Sequence, residues 1–80
     1  MKRYYRTFKA GSLEELTDKT YYMKQFCKSR GYSCEIVSST FNLETWLWSS
    51  RMRVWTDDNP EKLIAAANEI DEKITAAFKK

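Results

Sequence analysis

Apolar and polar residues alternate singly in three stretches of this chain and recur at helical spacing in two others. Residues 2–9, Lys-Arg-Tyr-Tyr-Arg-Thr-Phe-Lys, form the first alternating stretch. Aromatic and β-branched residues favour extended backbone, so the segment predicts a strand. Tyr4 and Phe8 then face the core, Arg6 shares their register, and Arg3, Tyr5, Thr7 and Lys9 point the opposite way. Residues 32–40 read as a second strand, with Cys34 and Ile36 inward and Glu35, Val37 and Ser39 outward. A turn at Phe41-Asn42-Leu43-Glu44 leads to a third strand over residues 46–55. There Trp46, Trp48, Met52 and Val54 share one face, and Leu47, Ser49, Arg51, Arg53 and Trp55 share the other. The short connection predicts a hairpin.

The helical pattern begins after Gly11. Ser12-Leu13-Glu14-Glu15 has the form of a capping box, in which the serine hydroxyl accepts an amide and Glu15 reaches back. Leu13, Leu16, Thr20, Met23 and Cys27 form one stripe at helical period, flanked by Tyr22 and Phe26. Acids in the first turns, bases in the last, and Gly31 at the end complete the element. Asn59 and Pro60 open a second helix as N-cap and first helical residue. Leu63, Ala67, Ile70, Ile74 and Ala77 make its stripe, with Phe78 close by.

The order is strand, helix, strand, strand, helix, within one domain spanning residues 1–80. A right-handed crossover makes the first two strands parallel and leaves room for the third between them. The expectation is an α+β domain with a three-stranded antiparallel sheet of order 1-3-2, covered on one face by both helices. This resembles a ferredoxin-like fold lacking its last strand, a likeness of architecture that carries no function with it.

A chain of 80 residues has little interior, and its three Trp, four Phe and five Tyr supply large buried area per residue. The net charge of +3 is mild, but its distribution is uneven. Lys2, Arg3, Arg6 and Lys9 crowd the first ten residues without an acid. Asp57, Asp58, Glu61, Glu69, Asp71 and Glu72 face only Lys62 across residues 57–72. The molecule is therefore electrically polarised, although Asp57, Asp58 and Glu61 also suit a helix N-terminus. No apolar run approaches a membrane span, and the basic start lacks the apolar stretch of a signal peptide. A cytoplasmic location follows as the expectation. Cys27 and Cys34 are then reduced core thiols, with a disulfide between them only in an oxidising setting.

Little in the chain suits catalysis. Histidine is absent, removing the commonest general base near neutral pH and a common metal ligand. Two cysteines do not complete a zinc site, and Gly11 and Gly31 do not make a phosphate loop. Glu14–Glu15, Asp57–Asp58 and Asp71–Glu72 are sequence neighbours that point apart on a helix, which is poor geometry for an acid–base pair. Cys27 lies at the helix end that does not activate a thiol. The expectation is a non-enzyme with no catalytic, cofactor-binding or metal-binding residues.

The face of the sheet away from the helices is the remaining candidate. Arg3, Tyr5, Lys9, Leu47, Arg51, Arg53 and Trp55 define it, with Glu35 as its one acid. Trp, Tyr and Arg are the favoured anchors of protein interfaces, and a protein partner is the less demanding reading. The alternative is a single-stranded nucleic-acid surface, with arginines on phosphates and Tyr5 and Trp55 stacked on bases. The glycines and aromatic motif of the common RNA-recognition domain are missing. A cross-strand ladder of arginine stems shielding the rings, or a homodimer covering them, also fits the pattern. In size and style the chain resembles small proteins of bacteriophages and mobile elements that block a host machine. Inhibitors of bacterial defence complexes, including anti-CRISPR proteins, belong to that group.

Overall fold

The computed structural model describes residues 1–79. The elements run β1 (Lys2–Ala10), α1 (Leu13–Arg30), β2 (Ser33–Asn42), β3 (Leu47–Thr56) and α2 (Pro60–Phe78). The strands form one sheet of order β1-β3-β2, and β3 is antiparallel to both neighbours. The expected α+β architecture is therefore the observed one.

Local chemistry accounts for the ends of the helices. The Ser12 hydroxyl accepts from the Glu15 amide at 3.2 Å. The return half of the capping box gives way to a different contact: the Glu15 carboxylate lies 3.0 Å from the Lys19 ammonium. Gly31 closes α1 at φ +76°, where a side chain would be strained. It lets the Tyr32 amide donate to the Cys27 carbonyl at 2.8 Å and the Gly31 amide to that of Lys28 at 3.2 Å. At α2, the Asn59 side chain accepts from the Glu61 amide at 2.9 Å, and Pro60 occupies the first turn.

The core lies between sheet and helices. Phe8, Met23, Cys27 and Met52 are fully buried, and Leu16, Val54, Leu63 and Ala67 are nearly so. Tyr4, Phe26, Trp48 and Ile70 pack around them. α1 crosses all three strands, whereas α2 packs on α1 and β1.

Four expectations are corrected. Leu13 belongs to the helical period but is 54% exposed, because it lines an open groove between α1 and β2 instead of the closed core. Trp46 is not a strand residue facing the core. It ends the hairpin turn at φ +57° and is 70% exposed. The turn occupies residues 43–46, so Phe41 pairs with Trp48 inside the sheet. Asn42 shapes this turn: its side-chain oxygen accepts from the Glu44 amide at 2.8 Å, and its carbonyl from the Trp46 amide at 2.8 Å. Finally, Ser39 does not lie on the outer face. Ile36 pairs with Met52 and Ser38 with Arg51, leaving Val37 as an extra residue in a bulge. One inserted residue reverses the alternation beyond it. Ser39 turns to the helix side and its hydroxyl bonds that of Ser50 at 2.7 Å, while Ser38 and Thr40 take the outer face.

Arg6, on the core-side register as expected, turns its charge toward α2 at the edge of the sheet, although its Nε is buried without a partner. Its guanidinium donates to Asn68 Oδ1 at 2.7 Å and to Asp71 Oδ2 at 3.4 Å, both on α2. It also lies 5.2 Å from the centre of the Phe8 ring.

Candidate functional site

The open face of the sheet is built by register. Arg3 lies opposite Trp55, Tyr5 opposite Arg53, Thr7 opposite Arg51 and Lys9 opposite Ser49. On the other flank of β3, Glu35 lies opposite Arg53 and Ser38 opposite Arg51. The register thus places six of the seven expected residues, Arg3, Tyr5, Lys9, Arg51, Arg53 and Trp55, on one face; Leu47, opposite Asn42 at the start of β3, instead lines a groove with Ala10, Glu15, Lys19 and Phe78 at the end of the sheet.

Their side chains are already organised. The Arg51 guanidinium sits 4.1 Å from the centre of the Tyr5 ring, diagonal to it across the strand pair. The Arg53 guanidinium lies 4.6 Å from the centre of the Trp55 ring, two residues along the same strand. Arg53 also forms an ion pair with Glu35. Each guanidinium lies against one aromatic ring, in the geometry favoured by the ring quadrupole. Arg51 has no carboxylate partner among the described residues. Arg3 and Lys9 on β1 likewise form no ion pair among the described residues. One acid against four bases leaves the face positively charged.

A second polar cluster joins α1, β1 and α2 and was not singled out from the sequence. Lys19 is 2% exposed. Its ammonium donates to the Lys9 carbonyl at 2.7 Å, lies 2.7 Å from Asp71 Oδ1 and 3.0 Å from Glu15 Oε2. Three donors thus meet three acceptors. Asp71 gives its second oxygen to Arg6. The signal was present in the spacing: Lys19 follows Leu16 by three residues and precedes Met23 by four, which places it on the buried stripe. A fully partnered ammonium in this setting is a structural cross-link.

The remaining chemistry is sparse. Cys27 and Cys34 are free thiols, the first buried and the second half-buried. The neighbouring Cys34 thiol, together with burial, pushes the Cys27 thiol well above its ordinary range. The Cys27 thiol, aided by nearby Lys24, lowers that of Cys34. Between α1 and α2 an apolar groove of about 540 Å³ is lined by Tyr22, Phe26, Ala66, Ile70 and Ile74. At its lip Glu69 and Lys73 pair at 2.7 Å, the hydrogen bond lowering the carboxyl pKa and raising that of the ammonium. Among the described residues, no three His, Cys, Asp or Glu side chains gather in a metal-binding group. No described helix is long and apolar enough to cross a membrane.

No family model matches this chain, and neither a curated protein nor a solved structure is significantly similar to it.

Proposed function

We propose that this chain is a small non-catalytic binding domain whose open sheet face occupies an acidic surface of a protein partner. The observation that carries this reading is the coverage of Tyr5 and Trp55 by the guanidinium groups of Arg51 and Arg53. A nucleic-acid surface of this type offers bare ring faces to successive bases. Here a base stacking on either covered ring face must first displace an arginine. An acidic protein surface needs no such displacement. Its carboxylates can bond the outward edges of the same guanidinium groups, which remain supported from below by the rings. Arg51, Arg3 and Lys9 are the cations of this face that form no ion pair among the described residues, and Tyr5 and Trp55 supply the apolar area a hot spot needs.

Inhibition of a bacterial defence complex is one activity within this class, and no feature of the fold selects it over other ways of occupying a protein. The nucleic-acid reading is the competitor to be tested.

Two measurements separate them. The first is affinity capture from the native host with the wild-type chain and with Arg3→Glu/Arg51→Glu, followed by identification of the captured protein and its titration against the purified chain. The expected result is a nuclease-resistant complex that the double reversal abolishes. The second is fluorescence anisotropy with a single-stranded oligonucleotide at physiological salt. Tight oligonucleotide binding that falls with salt and with the same reversal would transfer the face to nucleic acid.

A further inference from the structure

The order β1-β3-β2 pairs β1 with β3 along its whole length and leaves no strand on its other side among the described residues. α2 is displaced toward that side: it packs on α1 and β1, not on β2 or β3. It therefore stands over the β1 border of the sheet and not over its middle. Between β1 and α2 lies a groove of about 160 Å³, lined by Tyr4, Tyr5 and Arg6 from the strand and by Pro60, Leu63 and Ile64 from the helix. Tyr4 and Tyr5 are successive strand residues, so their side chains point to opposite faces of the sheet. A groove that touches both opens at the edge of the strand, where the main chain is. Ile64 is 54% exposed and Tyr5 45%, so apolar surface borders this edge.

The edge is also charged with one sign. β1 carries Lys2, Arg3, Arg6 and Lys9 and no acid. Arg6 is engaged by Asn68 and Asp71 on α2. Lys2, Arg3 and Lys9 form no ion pair among the described residues. Basic side chains on an edge strand repel another copy of that strand. The same charges favour a strand that carries carboxylates, because directly opposed residues of paired strands stand about 4.5–5.5 Å apart and opposite charges there are stabilising. The β2 edge offers neither feature: its one charged residue, Glu35, is held by Arg53, and α2 does not reach it.

The two faces of β1 ask for different side chains. Arg3 and Lys9 lie on the open face of the sheet, whereas Tyr4 lies on the α2 side with Leu63 and Ile64. A strand beside β1 meets cations with one set of alternate residues and apolar surface with the other.

We propose that the free edge of β1 takes an acidic extended segment of a partner protein as a fourth strand. Its main chain bonds that of β1, its carboxylates lie beside Arg3 and Lys9, and its apolar side chains enter the groove beneath Ile64. In such an addition the main-chain bonds give affinity and the alternate side chains give selectivity. The inference does not rest on the open-face reading, although the two surfaces share Arg3, Tyr5 and Lys9, because a strand is held here with Arg51 and Arg53 unoccupied.

The test uses a labelled peptide of alternating glutamate and valine, titrated against the full chain by fluorescence anisotropy. Binding is expected, with slowed hydrogen exchange at β1 amides. The same peptide with lysine in place of glutamate should bind at least about tenfold more weakly. Two further peptides, N-methylated at one or the other set of alternate amides, block opposite edges of the strand. One of the two should lose at least about tenfold in affinity. Ile64→Glu, which sets a carboxylate in the groove, should cost a similar factor. If that variant fails to fold, the peptide series decides alone. Absence of binding, equal binding of the lysine peptide, or binding untouched by both N-methylation patterns or by Ile64→Glu overturns the proposal. So does exchange protection that appears on β2 in place of β1.

Discussion

Asp71 on α2 places one carboxylate oxygen 2.7 Å from the ammonium of Lys19, a side chain only 2% exposed on α1. Its other oxygen takes Arg6 from β1 at 3.4 Å. One carboxylate therefore ties three elements whose remaining contacts are largely apolar. Breaking a partnered buried charge costs more than the pair contributes, because the surviving partner is left without compensation. Lys19→Met and Asp71→Ala should each destabilise the fold by about 1–3 kcal/mol in urea titrations. Their combination should fall short of the sum, with a coupling energy of about 0.5–3 kcal/mol. Strict additivity would show that Asp71 and Lys19 act independently.

Two truncations distinguish closed core from open groove. Met52 is fully buried at the centre of β3, and Met52→Ala should cost about 2–5 kcal/mol. Ile70 lines the groove between α1 and α2, where its outer side meets solvent. Ile70→Ala should therefore cost less than the lower end of that range, read from the same urea midpoints. Equal losses would mean that the groove is closed in solution.

The hairpin turn carries a residue poorly suited to its backbone. Trp46 has φ +57°, a left-handed conformation costing a bulky residue about 1–2 kcal/mol. Against this stands one edge-to-face contact with Phe41 at 6.0 Å, worth about 0.5–1.5 kcal/mol at most for so exposed a ring. Asparagine tolerates this conformation, so Trp46→Asn should leave the thermal midpoint unchanged or raise it. A fall comparable to that of Met52→Ala would show that the aromatic contact outweighs the strain.

Tyr32 donates its hydroxyl to Asp58 at 2.7 Å, and this bond, with smaller contributions from burial and the Asp58 charge, raises the phenol above its ordinary value near 10. The folded state thus favours the protonated phenol. The stability this confers is full below the unfolded pKa and is lost as pH rises through the folded one. Difference spectra of phenolate formation, wild type minus Tyr32→Phe, should place this titration above that of an exposed tyrosine. Asp58→Asn should move it back down. An unchanged titration in Asp58→Asn would rule out the bond as the cause.

Much of this molecule is readable along the chain because its signals are local. The helix termini at Ser12, Gly31, Asn59 and Pro60 depend on residues within a few positions of one another. The sheet order follows from the handed crossover and the short hairpin. With that order, strand alternation alone collects Arg3, Tyr5, Lys9, Arg51, Arg53 and Trp55 on one face. The tertiary structure decided what those residues do there: Arg53 divides itself between Trp55 and Glu35, while Arg51 covers Tyr5 and keeps its outer edge free. It also decided three points that alternation gets wrong or leaves silent. The bulge at Val37 turns Ser39 inward, since strand register depends on the partner strand as well as on the strand's own sequence. Trp46 leaves the core because the turn takes four residues starting at Leu43. Lys19 enters the interior because its acceptors, Glu15, Asp71 and the Lys9 carbonyl, converge from three elements. The sequence spacing placed that lysine on the buried stripe, but only the packing of α2 against α1 and β1 brings the distant carboxylate that makes its burial tolerable.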